Sequence, residues 1–288
     1  YKIEKFKLMQ IIDLINLGSI KLKSNHISSH KLDAEILLSK VLNKRREELL
    51  LNLDQEITQS KIDNFKNLIN RRYEKEPIAY ILQEKEFWSK DFEVDKHTLI
   101  PRPETELMVE KIVKIFKEKE IFILDIGTGS GCILLSILSE LKKSKGIGID
   151  KSKKAILVAK QNSKKHKLSE KTKFYVRSVD DIYFKKFDLI VSNPPYIMKK
   201  DLKNLQDDIK KYEPKLALDG GNDGLDVIKK VIYKSTHILR TKGMLALEIG
   251  NEQIKKVSKI LSNNNFRIKY LIKDFSGNVR CVLSILEK

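Results

Sequence analysis

Two short stretches of this 288-residue chain combine residue types and spacing that can do chemistry on a small polar group. The first is Asp125-Ile126-Gly127-Thr128-Gly129-Ser130-Gly131, where an apolar run gives way to a helical one. Glycines there let the backbone approach a ligand with no Cβ atoms in the way, and the end of a buried strand is where open α/β sheets bind ligands. Asp150 closes the next apolar run, directly after Gly148-Ile149. A carboxylate there can accept both hydroxyls of a ribose. The pair predicts a nucleoside site whose loop is Gly127, Thr128, Gly129, Ser130 and Gly131, with Asp125 orienting it.

The second stretch is Asn193-Pro194-Pro195-Tyr196, reached directly from the apolar run 187–192. Two prolines fix the backbone and withhold N–H groups, so carbonyls at the turn stay free to accept hydrogen bonds from elsewhere. The Asn193 side-chain carbonyl and the Pro194 backbone carbonyl match the two hydrogens of a planar NH2 group, and Tyr196 can stack on its plane. An amide nitrogen is a poor nucleophile because its lone pair is delocalised. Holding both hydrogens aims it at a positioned methyl group and favours the pyramidal nitrogen of the transition state, with no strong general base required. Asn193, Pro194 and Tyr196 are therefore the expected catalytic residues, and Pro195 joins them in the expected substrate site.

A bare glycine loop is a weak signal, and two readings of it are excluded first. A dinucleotide loop, G-x-G-x-x-G, needs glycine where Cys132 stands, and a phosphate loop needs a Gly-Lys-Ser/Thr ending that is absent here. What remains, D-x-G-x-G-x-G followed by an acid at the next strand end, resembles the S-adenosylmethionine fingerprint of class I methyltransferases. The expected cofactor is S-adenosylmethionine, leaving as S-adenosylhomocysteine, with Asn193 bordering it as well as the substrate. Cys132 and Cys281 form no disulfide framework and offer no zinc spacing, so no metal is expected. Cys132, at a helix start, has either a lowered pKa or a packing role beneath the loop. His26, His30, His97, His166 and His237 are read as surface or local hydrogen-bonding residues.

These loops need elements to hold them. From residue 121 the chain alternates apolar strands with helical segments: strands at 121–126, 146–149, 173–176, 187–191, 244–249, 268–273 and 279–286 predict a mostly parallel, doubly wound seven-stranded sheet. The last two strands, joined through Gly277-Asn278, read as an antiparallel hairpin. Residues 199–214 read as a polar insertion. Before that region, Ala34, Leu37, Leu38 and Val41 repeat at helical spacing, as do Ile62, Phe65, Leu68 and Ile69, with Ser28, Ser29 and Thr58 as candidate caps. Residues 1–78 are thus expected to be a small helical bundle. Tyr80-Ile81-Leu82 and Phe92-Glu93-Val94 suggest a linking hairpin over 79–98, and 99–288 form the catalytic domain.

With both motifs placed, the sequence resembles the protein-glutamine methyltransferases (HemK/PrmC-like) that modify the Gly-Gly-Gln tripeptide of bacterial peptide chain release factors. The likeness spans nearly the whole chain. It includes Glu86-Phe87-Trp88, the segment Pro101-Arg102-Pro103-Glu104-Thr105-Glu106, Tyr212-Glu213-Pro214, Gly220-Gly221, Asp223-Gly224-Leu225 and Glu248-Ile249-Gly250. The resemblance implies a Rossmann-like class I methyltransferase domain plus a helical N-terminal domain that helps recognise the release factor. It implies that the glycine loop and Asp150 bind the cofactor and that the Asn-Pro-Pro-Tyr turn binds the glutamine amide. The family often has an aromatic residue after an acid beyond the third strand; this chain has Ser178-Val179-Asp180-Asp181, and Asp180 is the residue taken for the adenine. The Pro-Glu-Thr-Glu ending favours release factors over a ribosomal protein glutamine as substrate. Read from the residues alone, Pro103 also suits a helix's first turn, whose positive end Glu104 and Glu106 complement; the alternative is a direct role for the segment in shaping the cofactor pocket.

A formal charge of +18 keeps a second reading open, methylation of an exocyclic base amine in DNA or rRNA, since that amine satisfies the same two acceptors. A third is a binding protein that kept the fold without catalysis. Against nucleic acid, residues 1–80 carry only +4, the remaining +14 is scattered lysine, and no compact Arg-rich aromatic patch stands out. No stable nucleic-acid partner is expected. No apolar run nears the roughly 20 residues of a membrane span, and the first residues lack a secretory apolar core. The chain is expected to act as a cytoplasmic monomer, with a few residues missing ahead of Tyr1.

Overall fold

The computed structural model describes residues 9–183 and 187–287, which sort into two units. One runs through Gln83 and takes in residues 207–212; the other holds the rest. Among the described residues no helix is long and apolar enough to cross a membrane.

The first unit pairs β1 (Met9–Gln10) with β2 (Glu56–Ile57) and packs α1 (Ile11–Ser24), α2 (His30–Leu42), α3 (Arg46–Leu50), α4 (Gln59–Tyr73) and α5 (Ile78–Leu82). The helical spacing of Ala34, Leu37 and Leu38 puts them on one face of α2, where they join Leu14, Ile62 and Phe65 in a single core. Gly18 lets α1 close on α4, because a Cβ there would sit 2.8 Å from the Phe65 ring. Arg72 bonds the buried Asp33 carboxylate at 2.6 Å, and the Ser29 hydroxyl donates to the same group. Ser29 and Thr58 do precede helices, but neither side chain caps one. Tyr80-Ile81-Leu82 is helical rather than extended. Three successive apolar residues carry no period to separate strand from helix, and burying Ala79, Tyr80 and Ile81 together decides for the helix.

The second unit opens with a hairpin, β3 (Glu84–Phe87) and β4 (Lys90–Glu93), turned by Trp88 and Ser89, both at positive φ. The Trp88 backbone N–H donates to Glu106 at 3.0 Å and its indole N–H to Glu140 at 3.1 Å, so local contacts offset an uncommon backbone. Pro103 starts α6 (Pro103–Phe116), as its fixed φ favours. There follow β5 (Phe122–Ile126), α7 (Cys132–Glu140), β6 (Lys145–Asp150), α8 (Lys153–Lys165), β7 (Thr172–Val176) and β8 (Phe187–Ser192). The insertion after β8 is not simply polar loop. It carries α9 (Asp207–Tyr212), which belongs to the first unit, and α10 (Lys215–Leu218). The chain ends with α11 (Asp226–Ile238), β9 (Leu239–Glu248), α12 (Ile254–Asn263), β10 (Phe266–Lys273) and β11 (Val279–Leu286).

The sheet order is β10-β11-β9-β8-β5-β6-β7, with β5 to β9 parallel and β11 antiparallel to both neighbours. Successive strand residues feed opposite faces. Ile123, Leu189, Val191 and Ala246 pack under α6, α7 and α8, while Leu124, Ile190, Leu245 and Leu247 pack under α11 and α12. Each of the buried Ile, Leu and Val side chains contributes about 1.5–3 kcal/mol. The chain leaves β5 toward β6 on one side and later returns to place β8 on the other, so β5 and β8 flank the point where strand order reverses. Ligands bind at that position in open α/β sheets.

Gly148 of β6 sits under this point, and a Cβ there would lie 2.6 Å from the Phe174 ring and 2.8 Å from Thr128 Oγ1. Gly148→Ala is expected to lower the unfolding free energy by about 1–3 kcal/mol through overpacking. Urea denaturation checks this; an unchanged midpoint contradicts it.

Candidate active site

The glycine loop leaves β5 and the Asn-Pro-Pro-Tyr turn leaves β8, whose last residues Ile126 and Ser192 are partners in the parallel ladder. The Ser192 hydroxyl donates to the Ile126 carbonyl at 2.7 Å, fastening the two loop bases together. Gly127 and Gly129 adopt φ of +73° and +55°, with nothing within 4 Å of where their Cβ atoms would stand. Glycine is needed for the backbone, and the space above the loop is open. The N–H groups of Gly127 and Thr128 both reach the Ile149 carbonyl at 2.9 Å, and the Asn162 amide holds the Ser130 carbonyl from below.

Asp150 accepts from the Gly129 N–H at 3.0 Å and the Ser152 N–H at 2.8 Å, one on each oxygen. Its orientation is fixed while lone pairs remain on both oxygens. Burial raises its pKa, opposed by the bonds from Ser152 and Gly129. Asp125 is fully buried and accepts the Thr128 hydroxyl at 2.7 Å through one oxygen. Burial pushes its carboxyl up to about 7, the Thr128 bond pulling the other way. Cys132 has no lowered pKa: burial pushes its thiol up to about 12, and it packs beneath the loop.

A cavity of about 320 Å³ joins the two motifs, within the range of small-molecule sites. Gly127, Thr128, Gly129, Ser130, Asp150, Asn193, Pro194 and Pro195 all line it. The loop and Asp150 suit a nucleoside cofactor: an open glycine cradle beside a fixed carboxylate. Four expected residues lie outside the wall. Asp125 and Gly131 sit beneath the loop, where Gly131 caps α7 at φ +82°. Tyr196 packs into the core under α11 and α12, with burial pushing its phenol up to about 12. Asp180 lies on a one-turn 3₁₀ helix, Val179–Asp181, begun by the Ser178 hydroxyl; the turn puts Val179 in the wall and leaves Asp180 beside Lys230 at 3.8 Å.

The opposite wall draws partly on the Pro-Arg-Pro-Glu-Thr-Glu segment, for which shaping the pocket is one of two expectations, and partly on residues 97–100, for which there is none. His97, Thr98, Leu99 and Ile100 line the cavity, as do Pro101, Arg102 and Thr105 from the Pro-Arg-Pro-Glu-Thr-Glu segment, whereas Glu104 and Glu106 do not. Pro214, Leu216 and Ala217 close another side, and Leu216 is mostly exposed at the rim. Arg102 and Glu213 bond at 2.6 Å between these two walls. Gln253 ties three further motifs: it accepts from the Gly250 N–H at 2.8 Å and donates to the carbonyls of Tyr196 and Gly224 at 3.1 and 3.2 Å. Gly220 presses on the turn, since a Cβ there would sit 2.8 Å from the Tyr196 Cα.

Strand order, glycine loop and switch-point cavity together define a class I methyltransferase. A methyltransferase from Pyrococcus furiosus of known structure has this fold, at a TM-score of 0.53 and 17% identity over 76% of this chain and 98% of that one. The PrmC N-terminal domain family matches residues 13–82, and the methyltransferase small domain family residues 103–221. The release factor glutamine methyltransferase of Clostridium acetobutylicum is 37% identical over 96% of this chain and 99% of its own length. That of Fusobacterium nucleatum is 38% identical over 95% and 78%. This chain belongs to the release factor glutamine methyltransferase family. It also spans 57% of the bifunctional methyltransferase of Rickettsia conorii, at 35% identity.

The raised carboxyl pKa gives a pH signature. Folded Asp125 keeps its proton up to about pH 7, whereas the unfolded chain releases it near 3.8, so this group adds stability in acid that is lost as pH rises through about 7. Denaturation of the wild type and Asp125→Asn is expected to show the variant gaining relative stability between about pH 5 and 8. A pH-independent difference contradicts this.

Proposed function

We propose that the protein transfers a methyl group from S-adenosylmethionine to the side-chain amide nitrogen of the glutamine in the Gly-Gly-Gln motif of peptide chain release factors. The observation that carries the reading is one cavity lined by both the glycine loop with Asp150 and the Asn193-Pro194 turn. Family membership supports the same chemistry.

In this reading Asp150 holds the ribose hydroxyls, Gly127 to Ser130 face the amino-acid end, and Ile149 and Val179 enclose the flat base. The cofactor supplies, when bound, a methyl group activated on a sulfonium. The Asn193 Oδ1 and the Pro194 carbonyl accept the two hydrogens of the glutamine amide. Among the described residues no backbone N–H bonds to that carbonyl. Fixing both hydrogens turns the nitrogen lone pair toward the methyl and costs no reorganisation at reaction, the usual source of large rate gains. The nitrogen gains the methyl and sheds one proton. Apolar walls from Ile100, Pro101, Leu216 and Ala217 exclude water. Tyr196 supports the turn from beneath rather than stacking on the amide.

We further propose that the helical first unit takes part in release-factor recognition, with Leu17 and Ile20 exposed on one face of α1, and that the enzyme acts as a cytoplasmic monomer. Transfer from a sulfonium needs no Lewis acid, so a chelator is expected to leave activity intact.

Mass spectrometry after incubation with cofactor and either release factor, DNA or rRNA decides the substrate. A single added methyl on the tripeptide glutamine is expected; methylated nucleic acid beside unmodified protein overturns the reading. Asn193→Ala is expected to lower turnover by about 100- to 1,000-fold while leaving cofactor affinity largely unchanged. Asp150→Ala is expected to weaken cofactor binding first, as read by calorimetry. A loss of cofactor affinity in the Asn193 variant equal to that in the Asp150 variant contradicts the division of labour.

A further inference from the structure

Glu248, the last residue of β9, is 3% exposed and has no part in the reaction as described above. Its place follows from the sheet register. Ser192 of β8 pairs with Leu247 of β9, so the next residue along each parallel strand, Asn193 and Glu248, emerge side by side. The Thr105 hydroxyl donates to Glu248 Oε2 at 2.5 Å from the first turn of α6, and the Asn193 side chain stands near enough to the same carboxyl to favour its ionised form. Thr105 and Asn193 both line the cavity, whereas Glu248 stands behind them.

An asparagine amide is nearly symmetric in shape, and only its hydrogen-bond partners decide which end is oxygen. We propose that Glu248 is the positioning residue that makes Asn193 an acceptor: by taking the Asn193 N–H, it turns Oδ1 toward the substrate amide, and Thr105 holds the carboxylate in place. The inference rests on the assignment of Asn193 as a substrate acceptor. A protonated Glu248 has a hydrogen to give, and giving it to Oδ1 would consume that acceptor.

Burial pushes the Glu248 carboxyl up to about 7, with the Thr105 bond as the main opposing influence. The other charged and titratable groups facing it are Arg280 and Cys281 on β11, Glu104 on α6, Tyr196 in the turn and Cys132 at the start of α7. Arg280 favours the ionised form and Glu104 opposes it. The orientation of Asn193 therefore loosens as pH falls through about 7.

The test compares wild type, Glu248→Gln and Glu248→Leu between about pH 6 and 8, at saturating cofactor and release factor. Glutamine keeps an oxygen for Asn193 and can donate to Thr105, but it does not titrate. Wild-type kcat is expected to fall toward acid, and Glu248→Gln to retain activity and lose that fall. Glu248→Leu is expected to transfer about 100-fold more slowly with cofactor affinity intact. Unchanged acid sensitivity in Glu248→Gln, or wild-type turnover in Glu248→Leu, overturns the inference. A second readout stands apart from the substrate. With 15N-asparagine labelling, the Asn193 side-chain NH2 signal, assigned by its loss in Asn193→Asp, is expected to move with pH in the wild type and not in Glu248→Gln. A signal indifferent to both also overturns it, whereas a moving signal in a protein inactive on release factor overturns only the substrate assignment.

Discussion

A planar NH2 group needs two acceptors, and a folded chain rarely leaves two oxygens unused at the end of a buried strand. In the reading proposed above, the rest of the site is arranged around that requirement. Pro194 and Pro195 contribute no N–H, so the turn after β8 cannot close on itself as a helix or ladder would. Among the described residues no backbone N–H takes the Pro194 carbonyl, and in the proposed reading the Asn193 amide is turned by the Glu248 carboxylate behind it. Gly220 and Gln253 then brace the turn from outside, one by close packing and one by a bond to the Tyr196 carbonyl. Rigidity at this point comes from neighbours that never touch substrate.

The same economy of partners explains the buried acids. Asp125 and Glu248 each sit at the C-terminal end of a sheet strand, out of water, and each accepts a threonine hydroxyl. Taking a carboxylate out of water is costly unless it is bonded, and the bonds here do not restore the whole loss. Both groups accordingly hold protons far more tightly than exposed carboxyls do. Asp150 has two backbone donors, and its ionised form is correspondingly better supported. Stability is thus given up where the loops must be held in one arrangement, and the two apolar layers of the sheet supply the offset.

Much of this was legible in the sequence, for reasons that differ by residue. The glycine loop and Asp150 were readable because strand, loop, helix and acid follow one another locally, and Pro103 because its backbone restriction is intrinsic. The central parallel strands, such as β5 and β8, showed as apolar runs because both of their faces are buried. Residues 80–82 misled, since three apolar residues have no period and only burial chose the helix. The turn after β7 misled too: an acid at Asp180 looks chemical in a sequence, but the Ser178 cap rotates Val179 inward. Tyr196 was read as a stacking ring; its partly buried side chain packs against the core beside α11 and α12, a contact no local pattern signals. Residues 97–100 gave no local signal, and the Pro-Arg-Pro-Glu-Thr-Glu and Glu248-Ile249-Gly250 segments showed only through the family resemblance, without the contacts they make. They reach the site through strand register and through contacts of high sequence separation, such as Arg102 with Glu213 and Thr105 with Glu248.

The most direct measurement is a crystal structure of the protein with S-adenosylhomocysteine and a Gly-Gly-Gln-bearing release factor. The glutamine amide nitrogen is predicted to lie about 3 Å from both Asn193 Oδ1 and the Pro194 carbonyl oxygen, facing the cofactor sulfur. An amide held elsewhere, or an Asn193 whose nitrogen rather than oxygen faces it, would contradict the account.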